Sequence, residues 1–138
     1  VGGEDPKRKA YAQEIRERIA KESLENSILL TGARQDIRDI FAVSDLVLSL
    51  STKPESFGRT VVEALGMGVP VIGYAHGGVG EILAQLYPQG RVPLKNASAL
   101  HQAVAGSLET PRDRPVNDRF LRSEMIRQTL DCYQELVR

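Results

Sequence analysis

The chain has 138 residues, of which 41% are hydrophobic and 26% are charged, so its length suffices for one domain with its own core. Its 18 basic and 18 acidic residues balance, which gives no electrostatic reason to expect a nucleic-acid partner. A single cysteine, Cys132, excludes an internal disulfide and a cysteine-based metal site, and no apolar run reaches the roughly 18 residues of a membrane-spanning helix.

The first half of the chain predicts helices that alternate with strands. Two acids and a proline at 4–6 suit the start of a helix over 7–24, whose apolar residues recur at helical spacing. The apolar segment 27–31 (SILLT) predicts a buried strand. A short helix is expected over 35–43, and a second buried strand over 46–50 (LVLSL).

The second half continues the alternation. Its predicted elements are a helix over 58–67, a strand over 69–74, a helix near 79–86, an edge strand at 90–92, a helix over 96–109, a proline-rich break at 110–116 and an amphipathic helix over 117–136, on which Cys132 is expected to pack. This alternation predicts an α/β fold, a Rossmann-like parallel sheet with helices on both faces. Because ligands bind such sheets beyond the carboxyl ends of the strands, the loops 31–36, 51–58 and 75–80 are expected to form the site.

The segment from Glu55 to Glu63 suggests a specific chemistry. Gly58 falls where a loop turns into a helix, so the amides of Gly58, Arg59 and Thr60 should lack intrahelical acceptors. Free amides at the positive end of a helix favour an anion such as a diphosphate. A carboxylate accepts two hydroxyl donors, which suits vicinal diols. Two acids that flank a diphosphate therefore match a nucleotide sugar, with its sugar ring and ribose.

The same segment resembles the signature of family 4 retaining glycosyltransferases: two glutamates separated by seven residues, with Phe-Gly after the first and Glu-Ala-Leu at the second. The flanking segments 31–51 and 66–83 resemble that family's neighbouring blocks. The resemblance implies a GT-B fold, in which two Rossmann-like domains close on the substrates. Residues 1–138 are then expected to form a single, N-terminally truncated C-terminal domain that binds the donor.

The resemblance also implies a role for each matching residue. Glu55 would be the catalytic residue and bind the donor-sugar hydroxyls, Phe57 to Thr60 would offer backbone amides, and Glu63 would hold the ribose hydroxyls. The donor-binding residues it implies are Phe57, Gly58, Arg59, Thr60, Glu63, Ala33, Arg34, His76, Gly77 and Gly78. The turn at Ala33 and Arg34 would meet the nucleobase through its backbone.

Plainer interpretations exist for several of these residues. Glu55 could complement the helix dipole and Glu63 could be a solvated acid, but the flanking blocks favour the functional interpretation. For Arg34 and Arg59 only a backbone role is expected, because surface arginines are more often solvated. His76 is interpreted equally well as a donor-site residue near the interdomain cleft or as a simple turn residue.

The resemblance implies a nucleotide-diphosphate sugar as donor and no cofactor or required metal ion. The acceptor, a glycan or lipid-linked glycan of cell-surface polysaccharide or lipopolysaccharide synthesis, would bind a missing N-terminal domain. A cytoplasmic protein is expected, or one peripheral at the inner face of the membrane at full length. The chain alone is expected to be inactive. Two alternatives stay open: a non-catalytic nucleotide-sugar-binding module and a GT-B epimerase relative.

Overall fold

A computed structural model of the protein describes residues 1–3, 9–109 and 114–137. The chain divides into two compact units, Val1–Asp39 and Ile40–Arg138. The predicted helix start at 4–6 and the first part of the proline-rich break, 110–113, lie outside the described residues.

The first unit contains the predicted first helix, α1 (Lys9–Lys21). The apolar residues that recur at helical spacing lie on one face, and this face is only partly buried: Ile15 and Ile19 are of intermediate exposure, and Tyr11 is exposed. The short predicted helix is confirmed as α2 (Ile37–Val43), which begins in the first unit and continues into the second, where it buries Phe41.

The strand predicted over 27–31 is wrong. The structure assigns no strand there, and Ile28, Leu29 and Leu30 are exposed, Leu29 to 82%. The amides of Ser27 and Ile28 instead donate to the carbonyl of Leu24, which continues the turn after α1. A strand needs a neighbouring strand to satisfy its backbone groups. Among the described residues the bond that comes nearest to such pairing, Gly2 N to Gly32 O at 2.9 Å, lies one residue beyond this segment.

The second unit contains the predicted parallel sheet. Its strands β1 (Val47–Ser49), β2 (Val71–Tyr74) and β3 (Arg91–Val92) lie in the order β1-β2-β3, with Leu48 opposite Ile72 and Gly73 opposite Arg91. All three coincide with predicted strands. The central strand β2 is the most buried, whereas β1 pairs on one side and leaves Leu48 half-exposed, so β1 is less buried than expected.

The helices of this unit after β1 are α3 (Arg59–Gly66), α4 (Gly77–Leu86), a 3₁₀ helix (Pro88–Gly90), α5 (Ala97–Glu109) and α6 (Arg122–Leu136). Helices α3, α4 and α5 pack against the strands, and their contact forms the core. Its most fully buried side chains are Leu65, Ile72, Ile82, Leu83, Val61, Val71 and Pro70. The fold is therefore the predicted Rossmann-like α/β arrangement.

Two helix starts and one further burial prediction also differ from the structure. Helix α4 begins at Gly77, two residues early, because both glycines of the expected turn take part in its first turn. Helix α6 begins at Arg122, five residues late, because Asn117 forms a separate hydrogen-bonded turn with Phe120. The expected packing of Cys132 is wrong: it is exposed, since no residue of α6 is buried. No described helix is long and apolar enough to cross a membrane.

Candidate functional site

The N-terminus of α3 presents unpaired backbone donors. Gly58, its N-cap residue, provides no side-chain cap, and the first helical bonds are those of Val61 N and Val62 N to Gly58 O, at 3.1 and 3.3 Å. The amides of Gly58, Arg59 and Thr60 donate to no acceptor within the described part of the chain. These donors lie at the positive end of the helix, which is the geometry that an anion requires.

Gly58 is required by the backbone at this point. Its φ of +90° lies in the left-handed region, where a residue with a Cβ is strained. A Cβ there would also lie 3.1 Å from Cγ2 of Val79 in α4. The glycine therefore lets the chain turn sharply into α3 while α4 stays packed beside it.

The N-terminus of α4 is covered by the chain itself. The loop 51–58, which joins β1 to α3, places the carbonyl of Glu55 as acceptor 2.8 Å from the amide of Gly78. A Cβ at Gly78 would lie 2.4 Å from the carbonyl oxygen of Phe57, and one at Gly77 would lie 2.8 Å from that of Glu55. Gly77 and Gly78, predicted as donor-binding residues, thus form the surface on which the loop 51–58 rests.

His76 ties the start of the same loop to α4. Its Nε2 lies 2.9 Å from the backbone oxygen of Ser51. A carbonyl oxygen can only accept a hydrogen bond, so Nε2 carries a proton and donates. The ring also makes an edge contact with Tyr74, at 6.2 Å between centroids. Hydrogen bonds from His76 and Gly78 therefore anchor both ends of the loop segment 51–55.

The two predicted acids are accessible. The Glu55 carboxylate makes no hydrogen bond or ion pair with the described residues, and its side chain is exposed. Oε1 of Glu63 lies 3.5 Å from Nη2 of Arg59, in an exposed pair one helical turn apart. Such a pair is weak, so both carboxylates can accept hydroxyl donors from a ligand.

Ala33 and Arg34 belong to the first unit, whereas the other predicted residues belong to the second. The Arg34 guanidinium donates a bidentate pair of hydrogen bonds to the Asp36 carboxylate, with Nε 2.8 Å from Oδ1. The hydrogen bonds from Arg34 lower the pKa of Asp36, and the same bonds raise the pKa of Arg34. The Arg34 side chain is thus already paired with a carboxylate, which suits the backbone role expected for this turn.

Sequence reasoning missed Phe120. Its ring meets that of Phe57 edge to face, with centroids 5.8 Å apart and planes at 70°. Both rings line a groove of about 820 Å³, to which Arg119, Met125 and Gln128 also contribute. The available signal was an aromatic residue three positions after Asn117, a residue type that starts hydrogen-bonded turns.

The described ranges contain no cluster of three or more histidine, cysteine, aspartate or glutamate side chains that could hold a metal ion. The expectation that no metal is required stays a prediction.

The chain matches the family model of glycosyl transferases group 1 over residues 1–120. Among curated proteins, it is 42% identical over 60 residues to N-acetyl-alpha-D-glucosaminyl L-malate synthase of Bacillus anthracis, covering 44% of this chain and 16% of that protein. It is 35% identical over 74 residues to the lipopolysaccharide core biosynthesis mannosyltransferase LpsB of Rhizobium meliloti, covering 54% and 21%. The chain therefore spans about a fifth or less of these relatives.

Two solved structures superpose on this chain. A glycosyltransferase from Rickettsia africae superposes with a TM-score of 0.85 at 26% identity, covering 99% of this chain and 39% of the other. The Anabaena protein HepE, in complex with UDP-glucose, superposes with a TM-score of 0.73 at 31% identity, covering 79% and 30%. The Rossmann-like fold is thus shared with a solved glycosyltransferase and with a protein solved in complex with UDP-glucose.

Proposed function

The chain belongs to the group 1 glycosyltransferases, and on that premise we propose that it is the donor-binding C-terminal domain of a retaining GT-B enzyme. The proposed reaction transfers a sugar from a nucleotide diphosphate to a hydroxyl group of a glycan or lipid-linked glycan. The relatives that this chain matches include a lipopolysaccharide mannosyltransferase, which supports a role in cell-surface glycan synthesis.

One observation carries this proposal: the start of α3 has three unpaired amides, and along the chain an accessible carboxylate precedes them and another follows them. The amides of Gly58, Arg59 and Thr60 suit the diphosphate. Glu55, on the loop before the helix, would accept hydroxyl protons of the donor sugar. Glu63, more than one turn into α3, would accept those of the ribose.

UDP-sugars are the first donors to consider. HepE, at 31% identity over 79% of this chain, was solved with UDP and with UDP-glucose. The backbone at Ala33 and Arg34 is proposed to contact the nucleobase. The Arg34 side chain is already paired with Asp36, so the main chain is the proposed contacting group.

In the proposed mechanism, the acceptor hydroxyl attacks the anomeric carbon on the face from which the diphosphate departs. A new glycosidic bond forms, the bond from the anomeric carbon to the phosphate oxygen breaks, and that phosphate accepts the hydroxyl proton. The amides at the start of α3 stabilise the negative charge that develops on the leaving diphosphate. No metal ion is proposed, so transfer should survive EDTA.

A donor panel of UDP-, GDP- and ADP-sugars, assayed with the full-length gene product, tests this proposal. Glu55→Gln and Glu63→Gln each keep the side-chain shape but remove the charge, and each is expected to lower transfer by about 10- to 100-fold, because hydrogen bonds to charged groups contribute roughly 1.5–3 kcal/mol. Glu135→Gln, at an exposed position of α6, is the matched control.

If the wild type and all variants bind the nucleotide sugar but transfer no sugar, the non-catalytic binding module is favoured. Interconversion of the donor sugar without transfer would favour the epimerase alternative. Unchanged transfer in both glutamate variants would show that the site lies elsewhere.

A further inference from the structure

We propose that Phe120 is a positioning residue for the donor site. Its ring holds the ring of Phe57, and thereby the backbone immediately before Gly58, in the conformation that directs the unpaired amides of α3 at the donor. This inference rests on the proposed function. It concerns a residue that lies 62 positions beyond Gly58 in the chain.

Phe57 is held from two sides. On its backbone side, the carbonyl and Cα pack so closely on α4 that a Cβ at Gly78 would lie 2.4 and 2.6 Å from them. On its side-chain side, the described aromatic contact is the edge-to-face one with Phe120. Phe57 is 45% exposed even with this contact in place, so the Phe120 ring supplies part of the limited packing on its side-chain side.

Phe120 is itself held by a local turn. Its amide donates to Oδ1 of Asn117 at 2.9 Å, and Nδ2 of Asn117 donates to its carbonyl at 3.3 Å. These two bonds fix the backbone at both sides of the Phe120 side chain. They thereby fix the direction of the Cα–Cβ bond, from which the Phe120 ring reaches that of Phe57.

The segment 114–120 is also anchored along α3. A Cβ at Gly66, the last residue of α3, would lie 3.8 Å from Cβ of Asn117, and one at Gly68 would lie 3.7 Å from Cβ of Arg114. The segment therefore contacts the C-terminal end of α3 and, through Phe120, the residue that precedes its N-cap. It connects the two ends of the helix that carries the unpaired amides.

The groove beside this contact explains why a smaller side chain would matter. Phe57 and Phe120 both line it, and it already offers about 820 Å³ of space. Without the Phe120 ring, the Phe57 ring could turn into this space, and the backbone at Gly58 would lose the restraint on that side. Donor binding would then require the loop 51–58 to be ordered anew.

The experiment compares Phe120→Leu with Tyr133→Leu in the full-length gene product. Tyr133 is an exposed aromatic residue of α6 that does not line the groove, so it matches the chemical change. For Phe120→Leu we expect about a tenfold rise in the KM and Kd for the donor, with the KM for the acceptor unchanged. Tyr133→Leu should change neither, and Phe120→Tyr, which keeps the ring, should restore donor binding.

A cycle with Phe57→Leu tests whether Phe120 acts through Phe57. The double variant is expected to bind the donor no more weakly than either single variant, because both remove the same contact. Should Phe120→Leu not fold, Phe120→Met, which keeps most of the volume without the ring, replaces it in the same comparison.

Additive losses in the cycle would overturn the inference. So would a lowered Tm with an unchanged donor Kd, because that result describes packing alone. A wild-type protein that binds no nucleotide sugar would overturn the proposed function and this inference with it. A wild type that binds the donor, with Phe120→Leu binding equally well, would overturn this inference only.

Discussion

Helices α3 and α4 begin alike but end up with different surroundings. Each follows a strand of the same parallel sheet, and neither N-cap residue, Gly58 or His76, caps its helix with a side chain. At α3 the first amides remain unpaired in the described structure. At α4 the amide of Gly78 is taken by the carbonyl of Glu55.

This difference shows that a glycine at a helix N-terminus does not by itself identify an anion site. What matters is whether another segment of the chain already occupies the amides. At α4 the loop 51–58 accepts from the amide of Gly78 and packs directly on Gly77 and Gly78, so these glycines serve close packing. At α3 that same loop ends, and the amides stay available to a ligand.

Substitution at Gly78 should have the largest effect on this arrangement. In Gly78→Ala, the new Cβ would collide with the backbone of Phe57, at 2.4 Å from its oxygen, so the loop 51–58 must move. We expect a loss of roughly 1–3 kcal/mol or more in the free energy of unfolding and loss of detectable donor binding. Denaturant titration and calorimetric titration with a UDP-sugar measure the two effects.

Gly106→Ala provides the control for that variant. It lies inside α5 with open space around it, so alanine should stabilise the helix by up to about 1 kcal/mol. Equal stability and equal donor binding in the two alanine variants would contradict the close packing at α4.

Gly58→Ala tests the N-terminus of α3, and its effect is expected to be smaller than that of Gly78→Ala. The φ of +90° costs alanine roughly 1–2 kcal/mol, and relief of that strain should reorient the unpaired amides and weaken donor binding about tenfold. Gly68→Ala carries a similar strain, at φ +74°, beyond the other end of the same helix. It should lose similar stability in denaturant titration, whereas its donor Kd should not change.

The smallest effect is expected at His76. In His76→Leu the hydrogen bond to the Ser51 carbonyl is lost, at a cost of about 0.5–1.5 kcal/mol, and donor affinity should fall by a few fold as the loop loosens. His76→Gln retains an N–H donor of similar reach and should restore most of that affinity. If the glutamine variant binds the donor as weakly as the leucine variant, the ring contact with Tyr74 matters more than the hydrogen bond.

Much of the second unit could be predicted from the sequence. The strands at 46–50 and 69–74, the helix after Gly58 and the parallel topology all follow from patterns within a few residues of each other. Local periodicity reflects one buried face, and alternation of strands with helices restricts the sheet to parallel pairing. The site assignments stay predictions, with the roles that the resemblance implies.

The first unit and α6 show where this reasoning fails. The segment 27–31 has the apolar pattern of a buried strand, and Cys132 lies on an amphipathic helix, yet both are exposed. A hydrophobic pattern indicates which face of a segment can be buried. Whether that face is buried depends on which other parts of the protein pack against it. Burial therefore could not be predicted for these segments from their own residues.

The sequence by itself determined the alternation of elements in the second unit, the glycine at the start of α3 and the spacing of Glu55 and Glu63, because hydrophobic periodicity and side-chain spacing are local properties of the chain. The tertiary structure decided which helix N-terminus stays open, and it brought Phe120 to Phe57 and His76 to Ser51. Those contacts join residues 63 and 25 positions apart, and only the packing of α3 and α4 around the sheet brings them together.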